Sequence, residues 1–164
     1  MSKTIQCLVL AGCVCVLSVP AGAQLLVYRN LSYNIAKTMA ETTMESCTAQ
    51  GLSISVHVID RNGNTLVALR GDGARLHTFE NSYEKAYTAL TFRRPSAEMQ
   101  EEYAAGNATR MQQADFPGVV AIGGGLPVRV DDDVVGGIGV SGGAGGTNEP
   151  CAQAGIDAVA SQLQ

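Results

Sequence analysis

The chain has 164 residues, nearly half of them apolar, and a formal net charge of −4. That length suits one globular domain with a sizeable core and argues against a second unit. No block of Lys or Arg and no basic face with interleaved aromatics is present, so nucleic acid is not an expected partner.

Residues 1–23 read as a secretory signal peptide: Lys3, an apolar run over residues 5–19, then Pro20 and the small-x-small sequence Ala21-Gly22-Ala23. Cleavage after Ala23 removes one positive charge, takes the net charge from −4 to −5, and leaves residues 24–164 as a single exported domain, periplasmic or secreted. Leu10-Ala11-Gly12-Cys13 also has lipobox order, but the apolar run continues past Cys13 to Val19, where a mature lipoprotein turns polar. An uncleaved anchor fits poorly, because the run is shorter than the roughly 20 apolar residues a membrane span needs. The leader holds Cys7, Cys13 and Cys15. Cys47 and Cys151 remain, either as a disulfide of an oxidising compartment or as two separate small buried residues.

Leu31, Ile35, Met39 and Thr43 recur every four residues, which predicts an amphipathic helix over residues 31–50, stopped by Gly51. Residues 52–59 alternate as a half-buried strand, Asn62-Gly63 makes a tight hairpin, and residues 65–70 return. Helical spacing resumes with Phe79, Tyr83, Ala86, Tyr87 and Leu90, ends or kinks at Pro95, and is followed by a short helix over residues 96–106. Residues 119–122, 128–130 and 134–140 read as short strands, separated by a Gly/Pro-rich segment and by Asp131-Asp132-Asp133. In the last segment Ala152, Ile156, Val159 and Leu163 mark one helix face. Thr147 or Asn148 can cap this helix, Pro150 suits its first turn, and Glu149 complements its dipole. Short connections make neighbouring strands antiparallel. The fold class is therefore α+β, with one sheet of about five strands covered by helices.

Gly137-Ile138-Gly139-Val140-Ser141-Gly142 fits the G-x-G-x-x-G dinucleotide pattern, but only one helix fits after it, so the required second parallel strand is missing. The loop containing Ser141, Gly142 and Gly143 precedes a helix N-terminus, where free amides favour an anion; the same glycines equally serve tight bending and close packing. His57 lies among serines and reads as a hydrogen-bonded structural residue. His77, with Thr78, stands at a helix entrance directly after Asp72-Gly73-Ala74-Arg75. There an accessible imidazole suits a metal such as haem iron, or simply water. Lys85 can pair with an anionic ligand or Asp72, or face solvent, and a Schiff-base role would need a lowered pKa. Asp131-Asp132-Asp133 reads as a solvated turn that could weakly hold a cation. No G-x-S-x-G, H-E-x-x-H or paired C-x-x-C signature is present.

Residues 58–74 (VIDRNGNTLVALRGDGA), 84–89 (EKAYTA) and 123–143 (GGGLPVRVDDDVVGGIGVSGG) occur in this order and spacing. Together they resemble the GlcG/HbpS-like family of haem-binding proteins, a domain also found at the C-terminus of PduO-type corrinoid adenosyltransferases. The matching positions are Asp60, Gly63, Asp72-Gly73-Ala74, Lys85-Ala86, Thr88-Ala89, Gly124-Gly125 and Pro127, Gly136 and Gly139-Val140-Ser141-Gly142. The likeness covers nearly all of the chain from Leu31 onward. At Thr147-Asn148-Glu149-Pro150 the chain departs from the more acidic sequence of many members.

The resemblance implies a profilin-like α/β/α domain with a five-stranded antiparallel sheet, homo-oligomers, and tetrapyrrole binding. The leading expectation is an exported, oligomeric haem-binding protein for haem capture, buffering or redox sensing, acting as a binder rather than an enzyme. Chemistry and position assign His77 to the iron and Lys85 with Ser141, Gly142 and Gly143 to the propionates. Thr78 and Asp72 stand beside His77, and apolar residues near Tyr83 and Tyr87 cover the ring. Two alternatives stay open: an enzyme acting on an organic acid through Lys85, or a non-catalytic subunit of a periplasmic redox system.

Overall fold

A computed structural model describes residues 25–144 and 146–164; the expected signal peptide and Gln24 lie outside the described residues. The first helix, α1 (Tyr33–Thr48), starts where the Ser32 hydroxyl accepts the Ile35 N–H at 3.3 Å. Its buried face is Ala36, Met39, Ala40, Thr43 and Cys47; Met39 and Thr43 belong to the fourfold series, whereas Ile35 of that series is half-buried beside them. Strands β1 (Ser55–Asp60) and β2 (Thr65–Arg70) follow. The turn between them is built on Asp60, whose carboxylate accepts the N–H groups of Asn62 and Asn64, each at 2.8 Å. Burial works to raise the Asp60 pKa, but these bonds and those from the Asn64 and Asn30 side chains outweigh it and hold the carboxyl below its usual value.

Three helices come next: α2 (Leu76–Phe92), α3 (Ser96–Ala104) and α4 (Ala108–Gln113). The last of these was not expected from the sequence; Asn107 caps it by accepting the Arg110 N–H at 3.2 Å. Strands β3 (Gly125–Val130) and β4 (Asp133–Ser141) lead to α5 (Asn148–Asp157) and a final 3-10 turn at Ala160–Gln162. The sheet is antiparallel with order β2-β1-β4-β3.

Among the described residues four strands are present, not five. Residues 119–122 have strand composition but pair with no neighbour. The Val120 N–H goes to Thr88 Oγ1 at 2.9 Å, and the Ile122 carbonyl accepts the Ser96 hydroxyl at 2.8 Å. Side chains of α2 and α3 thus satisfy this backbone in place of a strand ladder. Asp131 and Asp133 are not free for a cation either, because they pair with Arg29 and Arg61. Among the described residues no cluster of three or more His, Cys, Asp or Glu side chains is arranged to hold a metal.

Alternation along β1 separates the two covering layers. Val56 and Val58 join Met39, Ala40, Ile138, Val140 and Val159 in the core beneath α1 and α5. His57, pointing the other way, meets α2. Each fully buried Val or Ile contributes about 1.5–3 kcal/mol relative to exposure. The helices on the first face are cross-linked by a Cys47–Cys151 disulfide spanning 104 residues of sequence.

On the second face α2 lies directly on the sheet backbone. A Cβ at Gly137 would stand 2.6 Å from the Ala86 carbonyl oxygen, and one at Gly139 2.0 Å from that of Ser82. The pattern that mimics a dinucleotide loop is therefore a packing surface that seats a helix.

Candidate functional site

His77, Asn81 and Lys85 are spaced by four along α2 and share one face of it. That face borders a cleft of about 470 Å³, closed by α3, by Gly123 and Gly124, by the loop after β4 and by the start of α5. The cleft sits at the C-terminal end of β4, where Ser141 forms part of the wall.

Lys85 is 2 % exposed, and its Nζ donates to the Val140 carbonyl at 3.2 Å. Burial pushes its ammonium pKa down to about 8, against the opposing pull of Glu149. Neither Glu149 nor Asp72 forms an ion pair with it. Glu149 Oε1 instead accepts the Ala97 and Gly124 N–H groups, each at 3.2 Å, and so ties the starts of α5 and α3 to the glycine turn. Asn81 Oδ1 is buried with no hydrogen-bond partner. The cleft thus holds a buried cation without a direct counter-ion and an unpartnered amide oxygen. Both are costly unless a ligand completes them.

His77 is exposed at the mouth of the cleft, next to Leu76, which is 79 % exposed. Thr78 is buried and structural in its bonding: its hydroxyl reaches the Arg75 carbonyl at 2.7 Å and lies 2.9 Å from Ser55 Oγ. Gly142, with φ +128°, lets the chain turn against β1, since a Cβ there would lie 2.4 Å from the Ser53 carbonyl. The Gly143 N–H is committed to Asn148 Oδ1 at 3.0 Å, so the expected open amide cradle is closed at that position by a side chain of α5.

Two expected contacts lie elsewhere. Tyr83 donates its hydroxyl to the Gly63 carbonyl at 3.2 Å and stacks on Tyr87 at 6.0 Å, against the β1–β2 hairpin and outside the cleft. Asp72 is exposed on the loop before α2 and does not line the cleft. His57 is buried, with Nδ1 2.8 Å from Ser82 Oγ and its ring edge-on to Phe79 at 4.6 Å. Burial pushes its pKa down to about 4, as suits a neutral structural imidazole. Asn81 and the anchoring role of Glu149 escaped the sequence reading. The His77-Asn81-Lys85 spacing is the signal that points to Asn81.

The fold and cleft define an α+β domain with one antiparallel sheet between helical layers and a polar ligand cleft along its central helix. The chain belongs to the family described as haem degrading protein HbpS-like, whose model matches residues 31–157. It is similar to a double mutant of Streptomyces reticuli HbpS of known crystal structure, with 35% identity, a TM-score of 0.76, and coverage of 85% of this chain and 96% of that one. The crystal structure of a PduOC–haem complex is similar at 27% identity and a TM-score of 0.73, over 79% of this chain and 95% of that one. Protein GlcG of Escherichia coli K12 is 31% identical over 111 residues, 68% of this chain and 81% of GlcG.

Proposed function

We propose that this chain binds haem, with the propionate end in the cleft and the iron approached by His77. The observation that carries this reading is the pairing on one face of α2 of an exposed imidazole with a buried, counter-ion-free ammonium. A tetrapyrrole asks for those two groups at once, an axial nitrogen donor and a cation for a carboxylate. The cleft residues fit the polar end of the molecule, and the exposed Leu76 and Ile122 offer apolar surface to its ring. Bound haem supplies an iron that changes oxidation state and exchanges ligands.

The chain's own residues do the rest. His77 presents its ring from a helix start that Thr78 and Ser55 pin in place. Lys85 neutralises a propionate in a low-dielectric site. Asn148 and Glu149 hold the loop and glycine turn that frame it. The family relationship and the PduOC–haem complex support the same ligand. The role we assign is haem capture, buffering or redox sensing by an exported protein that assembles as a homo-oligomer. The leader-like residues 1–23 and the Cys47–Cys151 disulfide support export, since such bonds persist in oxidising compartments.

Haemin titration followed in the Soret region tests the reading. Wild type is expected to bind saturably, with His77→Ala shifting the band and Lys85→Met weakening binding at least tenfold. Unsaturable binding, identical in all three proteins, would exclude the site.

A further inference from the structure

We propose that the same cleft is also a site for a small 2-hydroxycarboxylate, bound without haem. The inference goes beyond haem binding and stands on two groups a haem propionate cannot satisfy together. Lys85 asks for an anionic oxygen: the residue is 2 % exposed, its ammonium has no ion pair among the described residues, and its one protein acceptor there is the Val140 carbonyl. Asn81, one helical turn earlier, has a buried amide oxygen with no partner and therefore asks for a donor. A carboxylate carries no donor and leaves that oxygen unpaired. A hydroxyl on the adjacent carbon supplies one, and because hydroxyls both donate and accept, it serves whichever way the amide is turned.

Size and charge narrow the class further. A cleft of about 470 Å³ lined by glycines and polar side chains suits a compact polar molecule. Glu101 and Glu149 also border it, so a molecule held wholly inside the cleft is favoured with one carboxylate on Lys85 over two, whereas haem places only one of its two propionates at Lys85. The occupant is then one carboxylate on Lys85 and one hydroxyl on Asn81, with little else.

Calorimetric titration of the haem-free protein with three molecules of one skeleton decides the matter: lactate, propionate without the hydroxyl, and lactamide without the charge. Lactate is expected to bind saturably, propionate about tenfold more weakly for loss of one buried hydrogen bond, and lactamide not measurably. Lys85→Met should abolish lactate binding, and Asn81→Leu should bring lactate down to the affinity of propionate. The ligand series on wild type needs no variant to fold. Equal affinity for lactate and propionate would overturn the proposal, as would binding of lactamide or no saturation by lactate at tens of millimolar, on the order of the weakest specific sites. The haem reading is measured separately, in the Soret band, so either can fail alone.

Discussion

A Cβ placed on Gly125 would stand 2.0 Å from the carbonyl oxygen of Lys85, so strand β3 and helix α2 touch backbone to backbone at the residue that charges the cleft. Gly139 does the same to Ser82 one strand over. Helix position, and with it the depth of Lys85, is set by missing side chains. Gly125→Ala and Gly139→Ala are each expected to cost about 3 kcal/mol in urea denaturation, at the upper end of over-packing effects. Ligand binding should fall even where the variant remains folded. A loss under about 1 kcal/mol would mean that α2 shifts freely over the sheet.

Lys85 should make the protein less stable than it could be. Unfolded, its amine holds a proton up to about 10.5; folded, it begins to release it near 8. Between those values the unfolded chain binds more protons, so stability rises with pH across that window and the cost is fully present below it. The gain amounts to about 3 kcal/mol. Lys85→Met should be more stable than wild type at pH 7 by roughly 1–3 kcal/mol, with the difference vanishing near pH 10. Parallel denaturation curves for the two proteins at pH 7, 8, 9 and 10 check it.

His57 gives the opposite end of the pH profile. Its folded pKa, lowered to about 4 by burial, lies below the ordinary 6.5, so the unfolded state takes up protons first as pH falls. Stability is complete above 6.5 and declines toward 4 by about 3 kcal/mol from this residue. His57→Gln should be weaker at pH 7 but lose that part of the acid slope, measured as the change in urea midpoint between pH 7 and pH 4.5. An unchanged slope would assign acid sensitivity to other groups.

The Cys47–Cys151 bond closes a loop of about a hundred residues, for which chain entropy predicts a contribution near 4.7 kcal/mol and typical removals cost 2–5 kcal/mol. Reduction by dithiothreitol, or a Cys47→Ser/Cys151→Ser double variant, should lower the midpoint accordingly. Cys151 follows the cleft residue Glu149 by two positions on α5, so losing the bond that ties α5 to α1 should also weaken ligand binding in whatever fraction stays folded.

Periodicity made most of the fold legible. The fourfold spacing of Leu31, Ile35, Met39 and Thr43 predicted α1, whose buried stripe holds Met39 and Thr43, and Asn62-Gly63 marked the hairpin. Residues 119–122 misled because Val-Val-Ala-Ile has strand composition, while the partners of its backbone are Thr88 and Ser96, which only tertiary folding brings near. Tyr83 and Lys85 are two residues apart on one helix, and the 3.6-residue period sends them to different sides: Lys85 to the cleft and Tyr83 to the hairpin. Asn81 looks like an ordinary surface amide until the surrounding elements close around it. The glycines of β4 were visible as a pattern, but their purpose became clear only against the carbonyls of Ser82 and Ala86.

A crystal structure of the haem-bound protein, with iron located by anomalous scattering, decides whether His77 and Lys85 hold the ligand. The expected result is an iron peak within bonding reach of the His77 imidazole and a propionate at Lys85 Nζ. Iron held by another residue, with Lys85 still bonded only to Val140, would contradict it.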